Sequence, residues 1–158
     1  MSARLGSPAR WVFIATALFG ASACHTALLS DYDDVFDQEA SNTQKDVDGL
    51  FRKIIGNPDK SNPSVSAETY AGNKDAYARI ETELDALEVR AQAHDHNDGT
   101  IDSVRKIQAS FSDVEEAYKT KPSINIADAN IKLTIMKQQF AALIKEEILK
   151  KQGNSGVK

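Results

Sequence analysis

The residues best suited to chemistry lie in one short run, His94-Asp95-His96-Asn97-Asp98. Imidazoles and carboxylates are ligands that Zn²⁺ and Cu²⁺ take in proteins. His94 and His96 point apart if the segment is helical, however, so one ion could not use both. The simpler interpretation is a set of polar residues at an exposed turn. We therefore predict no metal site, and His94, His96 and Asp98 are the only candidates for one.

Other cofactor motifs are absent from the sequence. If Gly99 were the central glycine of a calcium loop, Arg105 would occupy the last ligand position, where a bidentate glutamate is needed. The chain has no Glu-x-x-His pair for a di-iron site, no Cys-x-x-Cys-His for haem and no glycine-rich phosphate loop. Its three histidines, at positions 25, 94 and 96, give no credible Ser-His-Asp order. We therefore expect no cofactor and no enzymatic activity.

The second place for chemistry is Cys24, which is the only cysteine of the chain. Arg4 and Arg10 are the only charges before it, and residues 11–21 are apolar or small. A segment of this length matches the core of a signal peptide and is too short to span a bilayer core of roughly 30 Å. The small residues 20–23 suit a peptidase that needs an unhindered backbone. An ordinary secretory cleavage site would explain this much.

The run Ala21-Ser22-Ala23-Cys24 resembles the lipobox of bacterial lipoproteins. The resemblance implies a signal peptide over residues 1–23 and an acylated Cys24 at the mature N-terminus, followed by a tether that ends at residue 30. Ala21 departs from the pattern, because leucine is usual there. His25 stands where an aspartate tends to retain Gram-negative lipoproteins at the inner membrane, so the resemblance implies the outer membrane, facing the periplasm. Ordinary secretion and a cytosolic chain with a buried cysteine are the alternatives.

Composition bounds the remaining classes of function. Removing residues 1–23 leaves 135 of the 158 residues, which is enough for one domain with a real core. It also removes two of the 19 basic residues and none of the 23 acidic ones, so the net charge moves from −4 to −6. An acidic chain is poorly suited to nucleic acid. Without a second cysteine there is no internal disulfide, and packing alone must stabilise the fold.

Apolar residues recur at steps of three and four along four stretches, which predicts four amphipathic helices. The first stretch begins at Asp31 and stops at Gly56-Asn57-Pro58, after running through the poor helix formers 41–43. Asp31, Asp33, Asp34 and Asp37 crowd its start, where the helix dipole favours acids. The second stretch follows Ser64 or Ser66, and its regular part is expected only after Gly72-Asn73.

The third stretch follows a turn at residues 97–100 and stops before Pro122. Asn125 has the pattern of an N-cap for the fourth, which Gly153 is expected to end. The predicted buried face of the fourth helix consists of Ile126, Leu133, Met136, Phe140, Leu143, Ile144 and Ile148. Lys145, Lys150 and Lys151 are expected to complement its C-terminal dipole. Residues 153–158 are expected to be a disordered tail.

Four such helices with short links favour an all-α fold, an antiparallel up-down-up-down four-helix bundle over residues 31–152 behind the signal peptide. The loop 56–66 is expected to cap one end of the bundle. Tyr70, Tyr77 and Tyr118 lie at helical spacing, which favours core positions over a ligand pocket.

The stretches 70–90 and 136–151 are similar to small helical lipoproteins of proteobacteria that carry no assigned function. That resemblance implies a fold and no activity. We expect a non-enzymatic envelope protein, held to the membrane by lipid on Cys24, whose bundle is an interaction or structural module for an envelope protein partner. The alternative is a small-ligand or metal carrier of the periplasm, and nucleic acid is not expected as a partner.

Overall fold

The computed structural model describes residues 31–155, and within them the chain forms four helices and no β-strand. These are α1 (Asp34–Gly56), α2 (Tyr70–Gln92), α3 (Asp98–Lys119) and α4 (Ile126–Ser155). The prediction of an all-α four-helix bundle is confirmed. The predicted signal peptide 1–23, Cys24 and the tether 24–30 lie outside the described residues.

The four helices form a closed ring of antiparallel neighbours. Contacts join α1 to α2, α2 to α3, α3 to α4 and α4 to α1, so α2 and α4 lie diagonally opposite each other. One end of the bundle collects the starts of α1 and α3 and the C-terminal ends of α2 and α4; we call it the Asp33 end. The other end, which the loop between α1 and α2 covers, is the Ser66 end.

The core consists of the inward apolar residues of all four helices. Phe51, Tyr77, Ile107 and Phe140 are each fully buried, with no exposed fraction. Tyr77 and Tyr118 are core residues, as their spacing predicts, whereas Tyr70 is partly buried against the core. Burying large side chains of this kind supplies most of the favourable free energy of folding.

The loop between α1 and α2 caps the Ser66 end, as predicted. The Ser66 hydroxyl donates to the carbonyl of Ile54 (2.6 Å), and the Ser66 amide donates to the carbonyl of Ile124 (2.8 Å). The amide of Ile126 donates to the carbonyl of Ser64 (3.0 Å). These bonds fasten the loop to the link before α4, so the two connections close this end together.

Three helix starts differ from prediction, and side-chain caps fix two of them, those of α1 and α2. The first stretch is predicted to begin at Asp31, whereas α1 begins at Asp34, because Asp33 caps it by accepting from the amides of Val35 and Phe36. Thr69 caps α2, so Gly72-Asn73 forms its first turn instead of preceding it. The Asn73 amide donates to Glu68 (3.0 Å) and to the Thr69 carbonyl (2.9 Å), which offsets its poor helix propensity. The predicted turn 97–100 contributes its last three residues to α3.

Two further predictions concern helix α4 itself. Asn125 caps it as predicted, because its side chain accepts from the amide of Asp128 (3.0 Å). Gly153 does not end it: the helix continues to Ser155, and no glycine in the described residues has positive φ. A glycine cap needs a glycine with positive φ, and Gly153 does not have one. A glycine inside a helix lowers stability by only about 1 kcal/mol relative to alanine, so the helix can continue through Gly153. The predicted tail 153–158 is therefore wrong for 153–155, and 156–158 lie outside the described residues.

The predicted buried face of α4 is wrong at Ile148, which is 44% exposed. Ile126 at the start of the helix and Ile144 are only partly buried. Continuing from Phe140 by steps of three and four, the inward positions are Leu143, Glu147 and Lys150. Lys150 is therefore buried in the bundle rather than placed in solvent at the C-terminal dipole.

Candidate functional site at the Asp33 end

The Asp33 end holds the first of two polar networks. Asp33 accepts from Arg90 through both carboxylate oxygens, at 2.6 Å from Nε and 3.0 Å from Nη2. His94 Nε2 lies 3.0 Å from the same carboxylate. Since Asp33 precedes α1 and Arg90 ends α2, this bidentate pair ties the two helices together where the chain enters the bundle.

The Asp33 carboxylate is held in its charged form. The hydrogen bond from Arg90 lowers its pKa well below the usual range, and the amides of Phe36 and Val35 and the His94 side chain add to that effect. Burial acts in the opposite direction and is outweighed. A carboxylate occupied on both oxygens by a guanidinium is a structural anchor and not a free acid or base.

Replacing Asp33 by asparagine should remove that charge while keeping a good helix cap. Because the folded-state pKa of Asp33 is depressed, its stabilisation is fully present above the unfolded pKa of about 3.9 and is lost as the pH falls through the folded pKa. We expect Asp33→Asn to cost about 1–2 kcal/mol at neutral pH. The difference from wild type should shrink in acid. Urea unfolding of both proteins from neutral to acid pH measures this difference in the free energy of unfolding.

Asp34→Asn, an equal change of charge at an exposed neighbour, is the control and should move the free energy of unfolding by less than about 0.5 kcal/mol. A loss for Asp33→Asn that stays constant from neutral to acid pH would show that the Asp33 charge is not what stabilises this end.

The candidate metal residues are not brought together. His94 is half-buried on Asp33, which corrects its interpretation as a solvated turn residue, whereas His96 and Asp98 are exposed. His96 has a left-handed backbone (φ 57°) that sets the link between α2 and α3. Within residues 31–155 no three His, Cys, Asp or Glu side chains are arranged to hold a metal ion. The guanidinium of Arg90 occupies the place beside Asp33 and His94 that a cation would need.

The second network lies deeper and was missed from the sequence. Lys150 and Glu147 are 3% and 2% exposed, and their ammonium and carboxylate lie 2.6 Å apart. The Lys150 ammonium also donates to Asn97 Oδ1 and Thr100 Oγ1, each at 2.5 Å. All three ammonium donors therefore have partners inside the bundle.

The same network links α2, α3 and α4 at the same height along the bundle axis. Asn97 also donates to the carbonyl of Ala91 at the end of α2 (2.8 Å), and Thr100 at the start of α3 donates to Glu146 and Glu147 of α4. Gly99 permits this approach, because a Cβ there would lie 2.9 Å from Glu146 Oε1. Because Lys150 is paired with Glu147 and both bind Thr100, the network can fix the register of α3 on α4.

A third cluster lies between α2 and α3. Glu115 accepts from the Tyr70 hydroxyl (2.6 Å) and from Lys119 (2.8 Å) and is 5% exposed. Burial raises the pKa of Glu115, but hydrogen bonds from Glu81, Lys119 and Tyr70 outweigh burial and lower that pKa to about 2. The hydrogen bond to Glu115 raises the pKa of Glu81. Where the two carboxyl groups share one proton, protonation of Glu81 is therefore favoured over protonation of Glu115.

Replacing Glu81 by glutamine should stabilise the bundle slightly at neutral pH. A raised folded-state pKa means that the bond from Glu81 is present below the unfolded pKa of about 4.3 and is lost as the pH rises through the folded pKa. Glutamine can donate to Glu115 at every pH. We expect a gain of up to about 1 kcal/mol at pH 7 and almost none in acid, measured by urea unfolding. A loss at pH 7 would contradict the shared proton.

The described part of the bundle carries shallow grooves between its helices. One of 370 Å³ between α2 and α3 is lined by Glu81, Asp85 and Phe111 among others. Two others, of 270 and 250 Å³, lie between α1 and α2. The Tyr77 hydroxyl is buried without a hydrogen-bond partner and lines none of the three.

Comparison of the chain with protein-family models, curated proteins and solved structures gives no match. None of the helices in residues 31–155 has the length and apolar character needed to cross a membrane.

Proposed function

We propose that this chain is a lipid-anchored protein of the cell envelope whose bundle serves as a non-enzymatic interaction or structural module. The observation that carries the proposal is the position of Cys24, directly after small residues at the end of an apolar segment that two arginines precede. The signal peptide would end at residue 23, and acylated Cys24 would be the mature N-terminus.

The geometry of the bundle is compatible with such an anchor. Asp33 caps the first helix, so the folded part begins nine residues after Cys24. The nine residues from Cys24 to Asp33 can span at most about 32 Å. The Asp33 end would therefore stay close to the membrane.

The side-chain networks support a structural role over catalysis. Asp33 before α1 is paired with Arg90 of α2. Glu147 of α4 accepts from Thr100 of α3, and Glu115 of α3 accepts from Tyr70 of α2, so these carboxylates hold helices together. We propose the outer membrane, facing the periplasm, as the location, because His25 and not aspartate follows the cysteine. The proposed partners are the membrane, through the lipid, and an envelope protein.

Replacing Cys24 by serine tests the anchor. Three acyl chains bury several tens of CH₂ groups at about 0.8 kcal/mol each, far more than a polar bundle surface can offer a membrane. We expect the wild-type chain in the membrane fraction after a high-salt wash. The Cys24→Ser chain should accumulate as unprocessed precursor, or as a soluble form if another peptidase cuts it. Immunoblotting of cell fractions measures both.

Ser22→Thr, which leaves the thiol in place, is a matched control and should remain processed and membrane-bound. If Cys24→Ser is processed and retained exactly as the wild type is, the attachment does not depend on the thiol and the proposed anchor is wrong.

A further inference from the structure

The outward face of α4 is unlike the other surfaces of the bundle. Between residues 127 and 149 it exposes eleven side chains, of which only Lys145 is charged. On α3, by contrast, seven of the ten exposed residues are charged. The exposed residues of α4 in this range are Ala127, Asn130, Ile131, Thr134, Ile135, Gln138, Ala141, Ala142, Lys145, Ile148 and Leu149. We call this set the α4 face.

Large apolar side chains lie at both ends of the α4 face, and Ala141 and Ala142 lie near its middle. Ile131 is 60% exposed and Ile135 41%, while Ile148 and Leu149 are 44% and 51% exposed. The face extends for about 27 Å from Ile131 to Leu149 at 1.5 Å per residue. A helix that is apolar on both its inward and its outward side is normally covered on both.

We propose that the α4 face binds the same face of a second copy of this chain, with the two α4 helices antiparallel and the two-fold axis level with Phe140. This arrangement places Ile131 opposite Leu149 of the second copy and Gln138 opposite Ala142. Such pairing is self-complementary, as a two-fold interface requires. Small residues at the crossing allow the two helix backbones to approach closely.

The charges beside the α4 face fit the same arrangement. Lys132 and Glu146 lie on the flank of α4 that faces α3. Glu146 accepts from Thr100 and Ser103 but pairs with no cation in the described residues, and Lys132 has no charged partner there either. A two-fold axis at Phe140 brings Lys132 within one helical turn of Glu146 of the second copy, twice per dimer. An anionic lipid surface would leave Glu146 unpaired and would repel a chain of net charge −4.

Cross-linking in intact cells tests the proposal. Gln138→Cys places a thiol beside the axis, and Ala78→Cys places one on the exposed side of α2, diagonally opposite α4. The full chain is treated with a short bismaleimide, and the wild type supplies the baseline for Cys24. Gln138→Cys should give a cross-linked band at twice the chain mass, whereas Ala78→Cys should stay at the wild-type level.

Exchanging the charges of Lys132 and Glu146 tests the proposed register of the two α4 helices. Lys132→Glu in the Gln138→Cys background should lower the cross-linked fraction about twofold to fivefold, as expected for an exposed ion pair. Adding Glu146→Lys should restore it. Circular dichroism of each purified variant establishes that it is folded, so that loss of cross-linking reports on the interface.

Four outcomes would overturn the proposal. One is the absence of a double-mass band for folded Gln138→Cys, and another is an equal band for Ala78→Cys. The third is a product of another mass, which would place a different protein on the α4 face. The fourth is a thiol at position 138 that aqueous maleimide cannot reach, which would place lipid there. The result does not depend on the fraction in which the chain is found, so a failed anchor and a failed dimer are distinguishable.

Discussion

Replacing Lys150 by methionine should lower the free energy of unfolding by about 3–5 kcal/mol, because it leaves the Glu147 carboxylate buried without a cation. The 2% exposure of Glu147 means that water cannot take the place of the ammonium. Thr100 and Asn97 would each lose a donor as well. Urea unfolding followed by circular dichroism at 222 nm, as is usual for helices, measures the loss.

The double variant Glu147→Leu/Lys150→Met separates the charge from the packing. Replacing both members of a buried pair by apolar residues is often neutral or stabilising, so the double variant should recover most of the loss. Lys106→Met, an exposed lysine on α3, should change stability by less than about 0.5 kcal/mol. A loss below about 1 kcal/mol for Lys150→Met alone would contradict the buried network.

Replacing Phe140 by alanine should cost about 3–5 kcal/mol, since a large ring with no exposed fraction is removed from the middle of α4 and a cavity remains. Phe140→Leu, which retains most of the volume, should cost clearly less. The same urea experiment measures both. A cost below about 1 kcal/mol for Phe140→Ala would mean that the ring is not packed in the core.

The helices themselves were predictable because their signals are local. Steps of three and four between apolar residues locate all four helices. The Asn125 cap is predictable because the amide that it accepts from, that of Asp128, is only three residues away. The start of α1 is predicted at Asp31 and lies at Asp34. The start of α2 is predicted after Ser64 or Ser66 and lies at Tyr70. At α2 the reason is that Asn73 is held by Glu68, Thr69 and Lys53, the last of these 20 residues away.

The polar networks were not predictable because their members are distant in sequence. Arg90 lies 57 residues from Asp33, and Lys150 lies 53 residues from Asn97. A lysine near a helix C-terminus is normally placed in solvent, and only the register counted from Phe140 puts Lys150 inside. Ile148 shows the converse, since an apolar residue near the helix end need not be buried.

The proposed lipid anchor depends on a short motif that a peptidase and an acyltransferase would recognise. Its signal is therefore contained in residues 4–25, and the fold adds only the distance between Cys24 and the first helix cap. The candidate metal residues differ from the anchor motif in this respect. The partner of His94 is Asp33, which lies 61 residues away in the sequence, so the local sequence does not identify it.

The most direct test of the lipid anchor is the mass of the N-terminal peptide of the chain purified from cell membranes. The proposed anchor predicts a peptide that begins at Cys24 and carries the mass of a diacylglyceryl group and one further acyl chain. Metabolic labelling with palmitate should place the label in that peptide. A chain that begins at Met1 or at any residue other than Cys24, or an unmodified Cys24, would contradict it.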